Sequence, residues 1–127
     1  MNEGFDSYRQ LEIGSSSGEV LVLRLYEAAL RHGRAALEHA RAGSVGERSA
    51  AVSKVLAIVG ELQQVLDFER GGEIAAQLDR LYAFVSDLLI KASVESRPEG
   101  IEEALRILEP LCDGWAELVD RHREDAA

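Results

Sequence analysis

Apolar residues return along this chain at intervals of three and four, in four blocks separated by short polar or glycine-containing breaks. That interval matches one face of an α-helix. The first block runs from Glu19 to about Ala42 and sets Leu23, Tyr26, Leu30, Leu37 and Ala40 on one stripe, with Gly33 at the remaining step. A glycine inside a helix costs about 1 kcal/mol against alanine, so its place on the stripe predicts a close crossing by another helix. A second stripe, Leu21, Leu25, Ala28 and Ala36, lies beside the first and makes the apolar face wider than one core seam requires.

Ala42-Gly43-Ser44-Val45-Gly46 is predicted as the first turn. In the second block Val52, Leu56, Val59, Gln63 and Leu66 mark the inward face, flanked by Ile58, Leu62 and Val65. The third helix is predicted from Gly72 to about Ser93, carrying Leu78, Leu81, Tyr82, Val85 and Leu89, and Val94 to Pro98 form the next turn, with Pro98 suited to a helix start. The fourth uses Ile101, Ala104, Leu105, Leu108, Cys112, Trp115 and Val119. Pro110 falls inside that pattern, removes one backbone donor and crowds the carbonyl of Arg106, which predicts a bend near residues 106–110. Helices of about 20 residues joined by turns of about five predict an all-α, antiparallel up-down-up-down four-helix bundle. Residues 1–18 show no sustained period, and Gly14-Ser15-Ser16-Ser17-Gly18 reads as a connector, so a flexible N-terminal arm is expected over 1–18 and the bundle domain over 19–124.

The break between the second and third blocks is the most specific stretch. Gly71 and Gly72 accept positive φ at little steric cost, which predicts a left-handed end to one helix and a reversal of the chain. Glu73 would then stand in the first turn of the next helix, where free N–H groups favour a carboxylate.

Composition narrows the function classes. A chain of 127 residues is one domain with enough length for a real core. Its net charge of −9 opposes binding to a phosphate backbone, so no nucleic-acid partner is expected. The run Val20-Leu21-Val22-Leu23 is cut by Arg24, far short of the ~20 residues that span a bilayer, and the acidic start lacks the charge pattern of a signal peptide. No membrane insertion and a cytoplasmic location are expected. The single Cys112, at helical spacing between Leu108 and Trp115, reads as a buried thiol.

Candidate chemistry is thin. Metal-bundle oxidases carry Glu-x-x-His on inward faces, and that pattern is missing here. His32 and His39 share one side of the first helix without a ligand cluster, and Glu99, Glu102 and Glu103 read as a charged face near a helix start. Ser15, Ser16 and Ser17 lack a nucleophile-elbow pattern, and Gly71-Gly72 lacks the lysine of a P-loop. No catalytic residue, metal or cofactor is expected. What remains is apolar area beyond the core, with Leu21, Leu25, Ile58, Leu62 and Val65 as groove candidates. The same residues could instead widen the core or meet a second copy of the chain in a homodimer.

Taken as a string, Leu66-Asp67-x-Glu69-x-Gly71-Gly72-Glu73-Ile74-Ala75-x-x-Leu78-x-x-Leu81-Tyr82 resembles the signature of the FliS family, cytosolic chaperones of flagellin. Tyr8-Arg9-Gln10, Leu25-Tyr26-Glu27-x-Ala29-Leu30, Ile101-Glu102-Glu103-Ala104 and Trp115 follow in the family's order, so the resemblance spans roughly residues 8–119. Ser17-Gly18-Glu19 departs from the family's Ser-Pro-Glu-like helix start, and Phe68 and Pro110 are further departures. The resemblance implies the same bundle and a chaperone that captures the C-terminal, helix-forming segment of flagellin before export. It also implies a role for Tyr8 as a lid over the empty groove and a contact with the flagellar export gate. A self-associating helical adaptor is the alternative.

Overall fold

The computed structural model describes residues 16–126, and the expected lid residue Tyr8 lies outside them. Four helices follow one another: α1 (Ser16–Ala42), α2 (Val45–Gln64), α3 (Phe68–Glu95) and α4 (Pro98–Ala126). Each packs on its neighbour in sequence and α4 closes back on α1, giving the expected antiparallel ring. α1 begins three residues earlier than expected, at Ser16, which takes the last part of the serine-glycine connector into the helix. Glu19 stands in its first turn, where the helix dipole favours a carboxylate, so no proline is needed to start it.

Gly33 behaves as its place on the stripe demands. A Cβ there would lie 2.7 Å from Leu105 Cδ2 and 4.0 Å from Val55 Cγ2, so α2 and α4 both reach α1 at this step. The seam of α2 differs from the predicted one. Ala51, Val52, Val55, Val59, Leu62 and Val65 are buried, whereas Leu56, Gln63 and Leu66 are only half-buried. The physical reason is visible at Gln63: its amide needs a partner and finds one at the rim, donating from Nε2 to Asp79 Oδ1 of α3 at 3.1 Å.

The chain reverses before the two glycines. α2 ends at Gln64, and Asp67 starts α3 as an N-cap whose Oδ1 accepts from the N–H of Glu69 at 3.1 Å and of Arg70 at 3.0 Å. One helical turn follows, closed by Gly71 N–H to Asp67 O at 2.7 Å, and Gly72 (φ 48, ψ −121) then kinks the helix. The expected positive φ is therefore present at Gly72, as a bend inside α3 and not as the end of α2. A side chain at 67 that satisfies two free N–H groups starts the helix earlier than glycine alone would suggest.

At the far end, Ser96 takes a left-handed conformation (φ 55) and its N–H returns to Ala92 O. The buried Arg48 of α2 holds this end, donating from Nη2 to Ser93 O at 2.8 Å and from Nη1 to Ser96 Oγ at 3.2 Å. A cation is well placed there, among the free carbonyls of a helix C-terminus. α4 runs unbroken through Pro110. Pro110 and Arg106 are both exposed, so water can satisfy the carbonyl that the proline leaves without a donor.

Tyr26 of α1 and Tyr82 of α3 meet across the diagonal of the bundle, their hydroxyls hydrogen-bonded and their rings 6.3 Å apart at a tilt of 52°. They belong to a continuous core that also includes Leu62, Val85, Leu89, Ile101 and Leu108.

Two glycines give opposite expectations for one substitution. Nothing lies within 4 Å of a Cβ at either Gly60 or Gly72, so backbone conformation alone decides. Gly72→Ala should cost about 1–2 kcal/mol because of its positive φ, and Gly60→Ala, within α2, should gain up to about 1 kcal/mol. Urea unfolding midpoints of the two variants should move in opposite directions.

Candidate client-binding surface

α1 and α2 run antiparallel, and the approach of Gly33 to Val55 aligns them. Counting by helical turns from that pair, Leu25 and Leu21 on α1 face Ile58, Leu62 and Val65 on α2. The five groove candidates therefore line one junction, but at two depths. Leu21, Leu25 and Ile58 are half-buried and present surface, whereas Leu62 (1% exposed) and Val65 (6%) belong to the core. Leu62 and Val65 form the floor of the junction and offer no surface of their own. His32 is shifted downward, first by burial and then by Lys54 and Arg31, which favours a neutral imidazole beside this apolar strip.

The signature corner is mostly structural. Asp67 caps α3 and lies 3.8 Å from Arg70, and Gly72 supplies the kink. A Cβ on Gly71 would press on Ala75 Cβ at 2.9 Å. Glu69 stays in solvent, and Glu73 makes a 3.4 Å exposed pair with Arg80.

A second apolar region escaped the sequence. Phe84 of α3 is 49% exposed, and Leu88 of α3 with Ile107 and Leu111 of α4 are only partly buried. Their signal was present as apolar residues off the main stripe of α3, but such positions are common on any surface.

The core also holds a small polar cluster. Burial pushes the Tyr26 hydroxyl above its ordinary value, opposed by hydrogen bonds with Tyr82 and Trp115 and aided by Cys112. Burial, with Glu27 and Asp113, also pushes the Cys112 thiol up, and Arg34 works against them. That is the reverse of an activated thiolate. Among the described residues no three His, Cys, Asp or Glu side chains are placed to hold a metal ion, and no helix is long and apolar enough to cross a membrane.

The sequence profile described as flagellar protein FliS matches residues 1–122. The chain belongs to the FliS family. A flagellar secretion chaperone FliS from Campylobacter jejuni is 32% identical over 117 residues, covering 92% of this chain and 91% of its own. The flagellar secretion chaperone FliSB of Pseudomonas aeruginosa is 37% identical over 62 residues, 49% of each chain. The flagellar secretion chaperone FliS of Salmonella typhimurium is 33% identical over 67 residues, 52% of this chain and 50% of its own. These similarities place this FliS-family chain among the flagellar secretion chaperones, a non-enzymatic family.

The Tyr26 shift has a testable consequence for stability. A native value raised above the unfolded one means that the folded state holds the proton longer. Stability is then full below the ordinary tyrosine range near pH 10 and declines as pH rises through the raised native value. Urea midpoints between pH 8 and pH 11 should fall, and Tyr26→Phe should flatten that decline while lowering stability at pH 8 by about 1 kcal/mol.

Proposed function

We propose that this chain is a cytoplasmic export chaperone that captures the disordered C-terminal segment of flagellin, prevents its premature polymerisation and delivers it in a state competent for flagellar type III export. The observation that carries this reading is the half-buried strip of Leu21, Leu25 and Ile58, lying over the closed floor of Leu62 and Val65. Such a strip suits helix-in-groove recognition, in which a client helix lays its apolar face down and orders as it binds. The secretion-chaperone relatives support a client in flagellar export. Catalysis has no part in this function: the chaperone works by occupying its client. Tyr8 is proposed to cover the strip until the client displaces it, and the flagellar export gate is proposed as the receiving partner.

Calorimetric titration of the full chain with a flagellin C-terminal fragment from the same organism tests the reading. The expected result is a one-to-one complex with a negative heat-capacity change. Paired substitutions Leu21→Asp and Ile58→Asp should weaken it at least about tenfold, about 1.4 kcal/mol, with the helical circular dichroism retained. No binding by the native chain, together with a mass in solution that grows with concentration, would favour the self-associating adaptor. Full affinity in the double variant would move the client to another face.

A further inference from the structure

Among the described residues Arg48 is the one charged side chain that is buried, at 6% exposed. A buried guanidinium ordinarily sits against a carboxylate, because taking a cation out of water is costly. Arg48 has instead two neutral acceptors, Ser93 O at 2.8 Å and Ser96 Oγ at 3.2 Å. None of the ion pairs among the described residues includes it, and its Nε is buried with no hydrogen-bond partner. The fold has therefore desolvated a positive charge at this corner of α2 and α3 and supplied no counter-charge.

Ser96 connects that charge to the surface. It is exposed, it stands between α3 and α4 with φ 55, and Arg97 beside it adds a second guanidinium. Pro98 opens α4 two residues later, so the positive end of that helix dipole also lies at the turn. An anionic group on Ser96 Oγ would have Arg48 Nη1 within reach, because its terminal oxygens project one bond beyond an atom already at 3.2 Å. Against it stand the C-terminal end of α3, Glu99, and Glu95, which pairs with Arg97 at 3.8 Å. Both carboxylates are exposed, and an exposed ion pair is worth only about 0–1 kcal/mol. Hydrogen bonds from a guanidinium to an anion are roughly twice as strong as neutral ones, so the buried cation outweighs them.

The geometry points to Ser96 as a phosphorylation site whose phosphate is held by Arg48 and Arg97. In the modifying step Ser96 Oγ attacks the γ-phosphorus of a nucleoside triphosphate carried by a serine kinase and the bond to the β-phosphate oxygen breaks. The hydroxyl proton passes to the kinase's base and the nucleoside diphosphate leaves. The attached phosphate supplies the counter-charge that Arg48 lacks and ties α2 to the start of α4. This corner is at the opposite end of α2 from Ile58, Leu62 and Val65, so the inference does not rest on flagellin as the client.

The full chain carrying phosphoserine at position 96, or at the exposed Ser53 for comparison, tests it. Neighbouring charges alone predict one order: Ser96 lies among Glu95, Arg97 and Glu99, and Ser53 beside Lys54, so the phosphate at 96 should hold its second proton more tightly, above the usual pKa of about 6. Contact with Arg48 reverses that order. Phosphorus NMR titration should place the phosphate at 96 about one pKa unit below that at 53, a roughly tenfold weaker hold on the proton. The Arg48 Nε–H resonance should move with phosphate at 96 and stay in place with phosphate at 53. An unreversed order, or an unmoved Arg48 resonance, would overturn the inference, and neither readout needs an Arg48 variant that fails to fold. Saturable movement of the same resonance by millimolar inorganic phosphate on the unmodified chain would make this a free-anion site and overturn the assignment to Ser96. Mass spectrometry of the chain recovered from its own cells should find phosphate on Ser96; phosphate confined to other residues, or none, counts equally against it.

Discussion

The hydroxyl pair of Tyr26 and Tyr82 constrains everything else in this bundle. A buried hydroxyl without a partner costs about 1–3 kcal/mol, and these two rings are among the largest fully buried side chains. Their bond sets the depth and register of α1 against α3, although those helices do not otherwise pack directly. Leu, Val and Ile would fill the same volume in many arrangements; two hydroxyls that must meet allow few. Trp115, which hydrogen-bonds Tyr26, brings α4 into the same arrangement.

Much of this was legible from periodicity. The fourth helix followed its predicted stripe from Ile101 to Val119, and Gly33 marked a crossing because a helical glycine on an apolar face has few other uses. What escaped had local causes. Gln63 looked inward by spacing but was drawn to the rim by Asp79, and Asp67 opened α3 before the glycines that dominate the string by eye. Arg48 could not have been identified as buried from the sequence, since a lone arginine on a helix is ordinarily solvated. Its burial depends on the end of α3, which lies nearly fifty residues away and offers carbonyls to it.

The candidate site was legible in outline and not in depth. Leu21, Leu25, Ile58, Leu62 and Val65 share one junction because helical spacing is a reliable guide to which face a residue occupies. Spacing carries no information on how closely the neighbouring helix approaches. Leu62 and Val65 are covered because α1 comes close, whereas Ile58, on the same flank, keeps part of its surface. The exposed apolar residues of α3 pose the converse problem: Phe84 reads as unremarkable in sequence, and only the fold shows that about half of it stays in solvent.

The position of the single tryptophan has one more consequence. Trp115 is half-buried on α4 and shares the Tyr26 hydroxyl with Tyr82 of α3. An indole held by one hydrogen bond at the edge of an apolar interior emits according to whether that interior is intact. The chain thus carries its own optical gauge of the packing around Tyr26, one that needs no label.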